Sequence, residues 1–416
     1  MLMQLLKKTG LILKASLIKM GLSLLLSMAV MPAFADYSWN FPEPATPMAL
    51  DTLHVHNKFM TITAIIFVVV LAIMIYSIFA HRKSKNYQPH TDQPMTKKIE
   101  IFWTLVPFAI LLLIDFVIMG IPAYKSVIMM EDTRNDSNMV IKLTGSQWRW
   151  QYEYLGASEA NIKGESAEDK AVLNDAKGIK FVSNLTTSQD EMDNKTPKGE
   201  HYLLEVDNHL VLPVGKKVRI LMTSADVLHN WWVPQFGSSR VAVPGFIRET
   251  WVEITKPGIY RGQCKELCGK GHGYMPVVVD GVSMKEYKKW VTAKKEEIAK
   301  AGEIKEMTKD ELVTAGKGVY EKNCAVCHQV TGAGLPPAFP ALTGSKIANG
   351  PIFGADGKYL KDSHLDRVLN GKGVMPSWKA VLSDNEIAEV ITYERNALGN
   401  SMGDMLQPSQ VKAARE

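Results

Sequence analysis

Two short segments hold all four cysteines of the chain, each beside a histidine. The first reads Cys264-Lys-Glu-Leu-Cys268-Gly-Lys-Gly-His272-Gly-Tyr-Met275. Thiolate, imidazole and thioether make a soft donor set that favours copper over magnesium, calcium or manganese. Glycines at 269, 271 and 273 let the backbone wind tightly round something small. A mononuclear blue-copper site uses one cysteine, whereas two on one loop permit two bridging sulfurs and hence two coppers. His229, in Asp226-Val-Leu-His-Asn-Trp-Trp-Val-Pro234, is the candidate second imidazole, expected on an earlier turn. Spacing alone leaves two other readings standing. Two Cys and two His also satisfy a tetrahedral structural zinc site, and Cys264 could pair with Cys268 as a disulfide in an oxidising compartment.

The second segment is Cys324-Ala-Val-Cys327-His328, the attachment pattern of a c-type haem. Both thiols add to the vinyl groups, and the adjacent His is placed to take one face of the iron. A thioredoxin-like pair would need a βαβ setting, but the surrounding sequence is helical. Candidates for the opposite iron ligand are Met375, Met402 and Met405, with His364 as an imidazole alternative. Met375 stands out in Asn370-Gly-Lys-Gly-Val-Met375-Pro-Ser-Trp378, where glycines and a proline shape a loop able to press sulfur onto iron. His/Met ligation suits electron transfer rather than oxygen chemistry.

These ligands need elements to hold them. The chain has 416 residues and a net charge of +5, enough for two small cores plus membrane segments. No dense basic block interleaved with aromatics occurs, which argues against nucleic-acid binding. Residues 1–35 read as a signal peptide, with a Lys-bearing start, an apolar run from Met20 to Met31 and Ala33-Phe34-Ala35 before Asp36, the alternative being a retained membrane helix. A periplasmic segment, 36–58, follows. The uncharged run 59–80 and the run 101–124, with Pro107 and Asp115, are each long enough to span a bilayer. The loop between them, 81–98, carries Arg82, Lys83, Lys85, Lys97 and Lys98 against Asp92, so it faces the cytoplasm and the chain after Tyr124 lies outside. Short β-branched and aromatic runs punctuated by Pro and Gly over 125–282 predict a small all-β barrel or sandwich, with a polar surface insertion at 156–199. A charged linker helix at 283–307 then leads to an all-α domain, 308–400, and a tail, 401–416. Capping boxes at Thr308/Glu311 and Ser383/Glu386 mark helix starts.

The copper-type loop CxExCGxxHxxM, together with DVLHNWWVP upstream and the membrane hairpin, resembles the CuA-bearing subunit II of haem–copper cytochrome c oxidases from about Leu50 to Val282. The last segment resembles a class I cytochrome c. The first resemblance implies a cupredoxin-like Greek-key domain in which Cys264 and Cys268 bridge two coppers and His229 and His272 each bind one. Met275 and the Glu266 carbonyl would be weak ligands, and the Glu266 carboxylate would face a magnesium ion shared with subunit I. Gln147-Trp148-Arg-Trp150-Gln-Tyr152 resembles the family's aromatic stretch where electrons enter, with Trp148 at that point. Glu100, ahead of Phe102-Trp103-Thr104, resembles the acid at the mouth of a proton channel into subunit I. The cytochrome resemblance implies Met375 as haem ligand and a helix crossing at Gly316, Tyr320 and Tyr393.

Together these imply a subunit of a bacterial inner-membrane, proton-pumping oxidase. It would pass electrons from its covalent haem c to CuA and on to subunit I, where oxygen is reduced to water, with subunit III and an upstream cytochrome c or other periplasmic donor as further partners. Two rivals are a nitric oxide reductase with a similar copper domain and a copper-handling protein with a transient thiol pair.

Overall fold

The computed structural model describes residues 40–85, 96–159, 165–337, 339–379 and 381–416. The expected signal peptide and most of the 81–98 loop lie outside the described residues. All elements below belong to the unit Glu43–Glu416.

Helix α1, Pro47–Ala80, begins where Thr46 accepts a hydrogen bond from the Ala49 amide at 3.0 Å and Pro47 takes the first position, where no N–H is needed. Its 34 residues make it about 50 Å long, so it outruns a hydrocarbon core of about 30 Å. From Phe59 to Phe79 its large apolar side chains are exposed save half-buried Ile62, as expected of a helix solvated by lipid. Helix α2, Lys97–Leu112, continues through a π turn, Leu113–Ile118, into α3, Gly120–Glu131. The turn contains Asp115, and a Cβ at Gly120 would lie 2.1 Å from the Asp115 carbonyl oxygen, so a side chain there would force the turn open. Both helices are anchored at their outer ends on the β domain. The Thr46 hydroxyl donates to Phe236 O at 2.7 Å, and the Trp251 indole donates to Met129 O at 2.9 Å.

The β domain contains β1 (Met139–Ser146), β2 (Arg149–Ala157), helix α4 (Ala167–Asp175), β3 (Lys180–Ser183), β4 (Leu210–Pro213), β5 (Lys217–Ser224), β6 (His229–Val233), β7 (Ser238–Ala242), β8 (Arg248–Glu253), β9 (Gly258–Cys264) and β10 (Pro276–Val282). One sheet has the order β3-β2-β1-β5-β8, the other β4-β10-β9-β6-β7. Each contains one parallel pair, β1 with β5 and β4 with β10, among antiparallel neighbours. This is the expected cupredoxin-like sandwich. Alternation supplies its core: Met139, Ile141 and Leu143 on β1 and Val218, Ile220 and Met222 on β5 point inward to meet Val277 and Val279 of β10.

Two expectations need correction. The segment 156–199 is not a surface insertion only: β3 pairs with β2, and Leu173, Ala176 and Ile179 are buried in the core. Its polar composition comes from the outer faces of an amphipathic stretch. The expected linker helix at 283–307 forms and packs on the β domain. Helix α5, Met284–Gly302, buries Tyr287 and Val291 in the β-domain core and sets the Trp290 ring, tilted, 5.1 Å from that of Tyr154. Finally, His229 opens strand β6 rather than sitting on a turn. Two tryptophans in HNWWV made a strand of few residues hard to distinguish from a ligand loop.

The last region comprises α6 (Lys309–Asn323), the turn Ala325–His328, α7 (His364–Asn370), α8 (Asp384–Asn396) and α9 (Pro408–Arg415). Both expected capping boxes form. Helices α6 and α8 cross where expected: a Cβ on Gly316 would lie 2.1 Å from Glu389 O, and the Tyr320 and Tyr393 rings are 5.5 Å apart. Glycine is what lets the backbones approach so closely.

Candidate metal centre

Strand β9 delivers Cys264 as its last residue, and β10 starts one residue after Met275, so the loop between them is held at both ends by the sheet. Trp231 pairs with Cys264 across β6 and β9, which brings His229, two residues earlier, over the loop. The close fit depends on glycine. A Cβ on Gly262 would lie 1.9 Å from Trp232 O, and one on Gly271 would lie 2.3 Å from the Trp148 ring.

The fold brings the sequence-expected donors together. Cys264 Sγ and Cys268 Sγ are 3.9 Å apart; His229 Nδ1 is 4.0 Å from the first, His272 Nδ1 3.5 Å from the second. Met275 Sδ lies 3.6 Å from Cys268 Sγ, and Glu266 O lies 3.3 Å from Cys264 Sγ. A disulfide would need sulfurs at about 2.05 Å, and both thiols are free. A tetrahedral zinc site closes on four donors. Here a thioether and a carbonyl stand beside the four strong donors, more than one such ion uses and a set that fits a copper pair.

Electrostatics prepares the thiols. Cys264 is pulled down to about 4, chiefly by the hydrogen bond from Cys268, with help from His229 and against burial. Cys268 is pushed up by the same bond, by burial and by the negative charge beside it. One proton therefore leaves readily and the second leaves when a cation replaces it. The Asp226 carboxylate accepts from His229 Nε2 at 2.8 Å, fixing the ring so that Nδ1 faces the sulfurs. Burial alone would lower His229; the Asp226 and Cys264 contacts reverse that and raise it. The sequence showed Asp226 only as part of a motif, although its place three residues before His229 was a usable signal.

Trp148 is 7% exposed, and its indole N–H donates to Cys268 O at 3.1 Å. Its ring meets Phe339 edge-on at 6.2 Å, on the loop following the haem-attachment turn. In that turn, His328 Nδ1 donates to Pro340 O at 2.8 Å, leaving Nε2 as the lone-pair nitrogen, the arrangement an iron-binding histidine takes. Burial holds the Cys324 and Cys327 thiols neutral. The other iron-ligand candidates separate clearly. Met402 and Met405 are 42% and 47% exposed, and His364 is committed to Glu394 at 2.6 Å, while Met375 packs partly buried against the haem-domain core. Glu100 lies exposed in the first turn of α2, apart from this cluster, and Glu266 is half-buried on the copper-type loop.

Comparison with known proteins agrees with this geometry. Residues 139–282 match the family described as cytochrome c oxidase subunit II, periplasmic domain, and residues 35–121 its transmembrane domain. Residues 311–393 match the family described as cytochrome c oxidase, cbb3-type, subunit III. The chain is 33% identical over 269 residues to cytochrome c oxidase subunit 2 of Oenothera berteroana, covering 65% of this chain and 95% of that protein. With the Arabidopsis thaliana subunit it shares 34% over 269 residues, 64% of this chain and 94% of the relative. Among solved structures, the periplasmic domain of subunit II of cytochrome oxidase (CoxB) of Bradyrhizobium japonicum is 35% identical, covering 39% of this chain and 98% of that one at a TM-score of 0.31. Such relatives imply a CuA copper centre and, in the last domain, a haem. Identical at a third of the matched positions to subunits whose length it spans almost completely, this chain belongs to the cytochrome c oxidase subunit II family and carries a cytochrome c domain behind the copper domain.

Proposed function

We propose that this subunit passes electrons from a covalent haem c to a CuA pair and on to subunit I, where a proton-pumping oxidase of the bacterial inner membrane reduces oxygen to water. The contact that supports this best is Trp148, bonded to the Cys268 carbonyl on one side and against Phe339 of the haem-attachment region on the other. Bound in these sites, copper and haem supply reversible one-electron transfer. The protein's own residues do the rest. Cys264 and Cys268 would hold the coppers through their thiolates, His229 and His272 through their imidazoles, with Met275 and the Glu266 carbonyl as weaker donors. Asp226 orients His229, while Trp148, Trp150 and Trp231 exclude water from the sulfurs. Cys324 and Cys327 would anchor the haem, and His328, its tautomer set by Pro340 O, and Met375 would hold its iron.

The Glu266 carboxylate is assigned to a magnesium ion shared with subunit I, and Glu100 to the mouth of a proton channel in that subunit. Subunit III and an upstream cytochrome c or other periplasmic donor complete the assembly. The test is to photoreduce the haem in the purified membrane complex and follow the near-infrared band of the copper pair, with oxygen uptake measured in parallel. The band should bleach as the haem reoxidises, and oxygen should be consumed. Haem reoxidation without any copper signal, or turnover of nitric oxide but not oxygen, would refute the reading.

A further inference from the structure

Between Trp148 and Trp150, both bonded to carbonyls of the copper-type loop, stands a charged residue that the copper site does not use. Arg149 is 7% exposed although it opens strand β2 on the side covered by the haem domain. Its guanidinium carbon lies 3.9 Å from the centre of the Trp378 ring, and Nη1 donates to Asn323 O at 3.4 Å. Among the described residues it forms no ion pair with a carboxylate; Asp226, the nearest acid it senses, is bonded to His229.

The two partners are significant. Asn323 ends helix α6 and immediately precedes Cys324. Its carbonyl belongs to the negative end of that helix, where a cation is favoured. Trp378 lies three residues after Met375 and is itself buried in the haem-domain core. One side chain of the copper domain thus grips both segments that would present the haem, while its sequence neighbours Trp148 and Trp150 grip the segment that would present the coppers. Burying a guanidinium without an acid is unfavourable unless its faces and N–H groups are matched. A planar cation over an indole, with a carbonyl at its edge, meets that condition, and lysine cannot reproduce the stack. Burial pulls Arg149 down only to about 10, so it keeps its charge at neutral pH.

We propose that Arg149 is the positioning residue that locks the haem domain onto the copper domain, by stacking on Trp378 and capping the end of the α6 helix, and that its charge favours the reduced haem. This rests on the electron-relay reading above. The pair Lys322–Asp207, 2.9 Å apart at a more exposed place on the same boundary, serves as a control contact of ordinary surface type.

The test uses the full chain in the purified complex, as Arg149→Gln, Arg149→Lys and Lys322→Gln. Near-infrared absorption and haem content are checked first. Loss of both centres' signals in the unaltered protein would sink the relay reading itself, independently of Arg149. With both centres present, three quantities are read: the pulsed-EPR distance between oxidised haem iron and copper pair, the rate of electron transfer after photoreduction, and the haem potential. Arg149→Gln should broaden the distance distribution, slow transfer about tenfold and lower the potential. Arg149→Lys should slow transfer similarly but keep the potential, and Lys322→Gln should leave all three unchanged. If Arg149→Gln fails to load its cofactors, Arg149→Lys alone decides the positioning role through distance and rate. A single narrow distance with a rate within about twofold of the parent in the loaded Arg149 variants overturns that role. An unmoved potential in loaded Arg149→Gln overturns the electrostatic one.

Discussion

Asp226 Oδ1 accepts a hydrogen bond from His229 Nε2 at 2.8 Å, and this bond turns Nδ1 of the same ring toward Cys264 Sγ, 4.0 Å away. His229 has no exposed surface, so this carboxylate, the Cys264 contact and the packed rings around it decide its orientation. An outer carboxylate of this kind commonly governs metal affinity. Asp226→Ala should lower copper affinity by about 10–100-fold while the β domain stays folded, measured by chelator competition. Unchanged affinity would show that packing alone orients the ring.

Gly271 sits against the face of Trp148, where an added Cβ would come within 2.3 Å of the ring. Gly271→Ala should destabilise the chain by about 1–3 kcal/mol and shift or abolish the near-infrared band, because loop and indole cannot keep their places together. A thermal melt in detergent and an absorption spectrum check both effects, and an unaltered band would contradict the packing described.

In the haem domain, Gly316→Ala pushes a methyl group into Glu389 O at the α6–α8 crossing. The expected cost is about 1–3 kcal/mol, with haem still attached because Cys324, Cys327 and His328 are untouched. Thermal unfolding followed at the haem band, with haem content measured alongside, tests it. A stability equal to that of the parent would mean the crossing tolerates a wider separation.

Glu249 gives a pH dependence with a definite sign. Arg219, bonded to it at 2.6 and 3.0 Å, holds its carboxyl down at about 2, with Arg134 and Thr133 assisting and partial burial opposing. Because the folded value is depressed, the stabilisation is present above the ordinary carboxylate value and is lost as pH falls toward 2. Glu249→Gln should cost on the order of 2 kcal/mol at neutral pH, and the difference should vanish between about pH 4.5 and 2. Melting curves of both forms across that range would expose a constant difference, which would contradict the pairing.

Much of this was legible in the residues. The donors at 264, 268, 272 and 275 lie close in sequence, so a loop between two strands had to bring them near one another. The α6–α8 crossing was legible through the resemblance to class I cytochromes c, which pointed to Gly316 and Tyr320 on one helix and Tyr393 on the other. What escaped was long-range. Nothing local in Arg149 announces that Trp378 will cover it, because that contact depends on how two domains meet. The burial of Leu173 and Ile179 in a largely polar stretch escaped for the same reason: period and composition describe an element, not its neighbours.

The most direct test is elemental analysis of the purified complex combined with EPR of the oxidised copper domain. The account predicts copper and haem iron in the ratio two to one for this chain, after subtracting those of subunit I, with hyperfine structure from one electron shared equally by two copper nuclei. Zinc in the loop, a single copper with localised hyperfine structure, or a Cys264–Cys268 disulfide in the mature protein would contradict it.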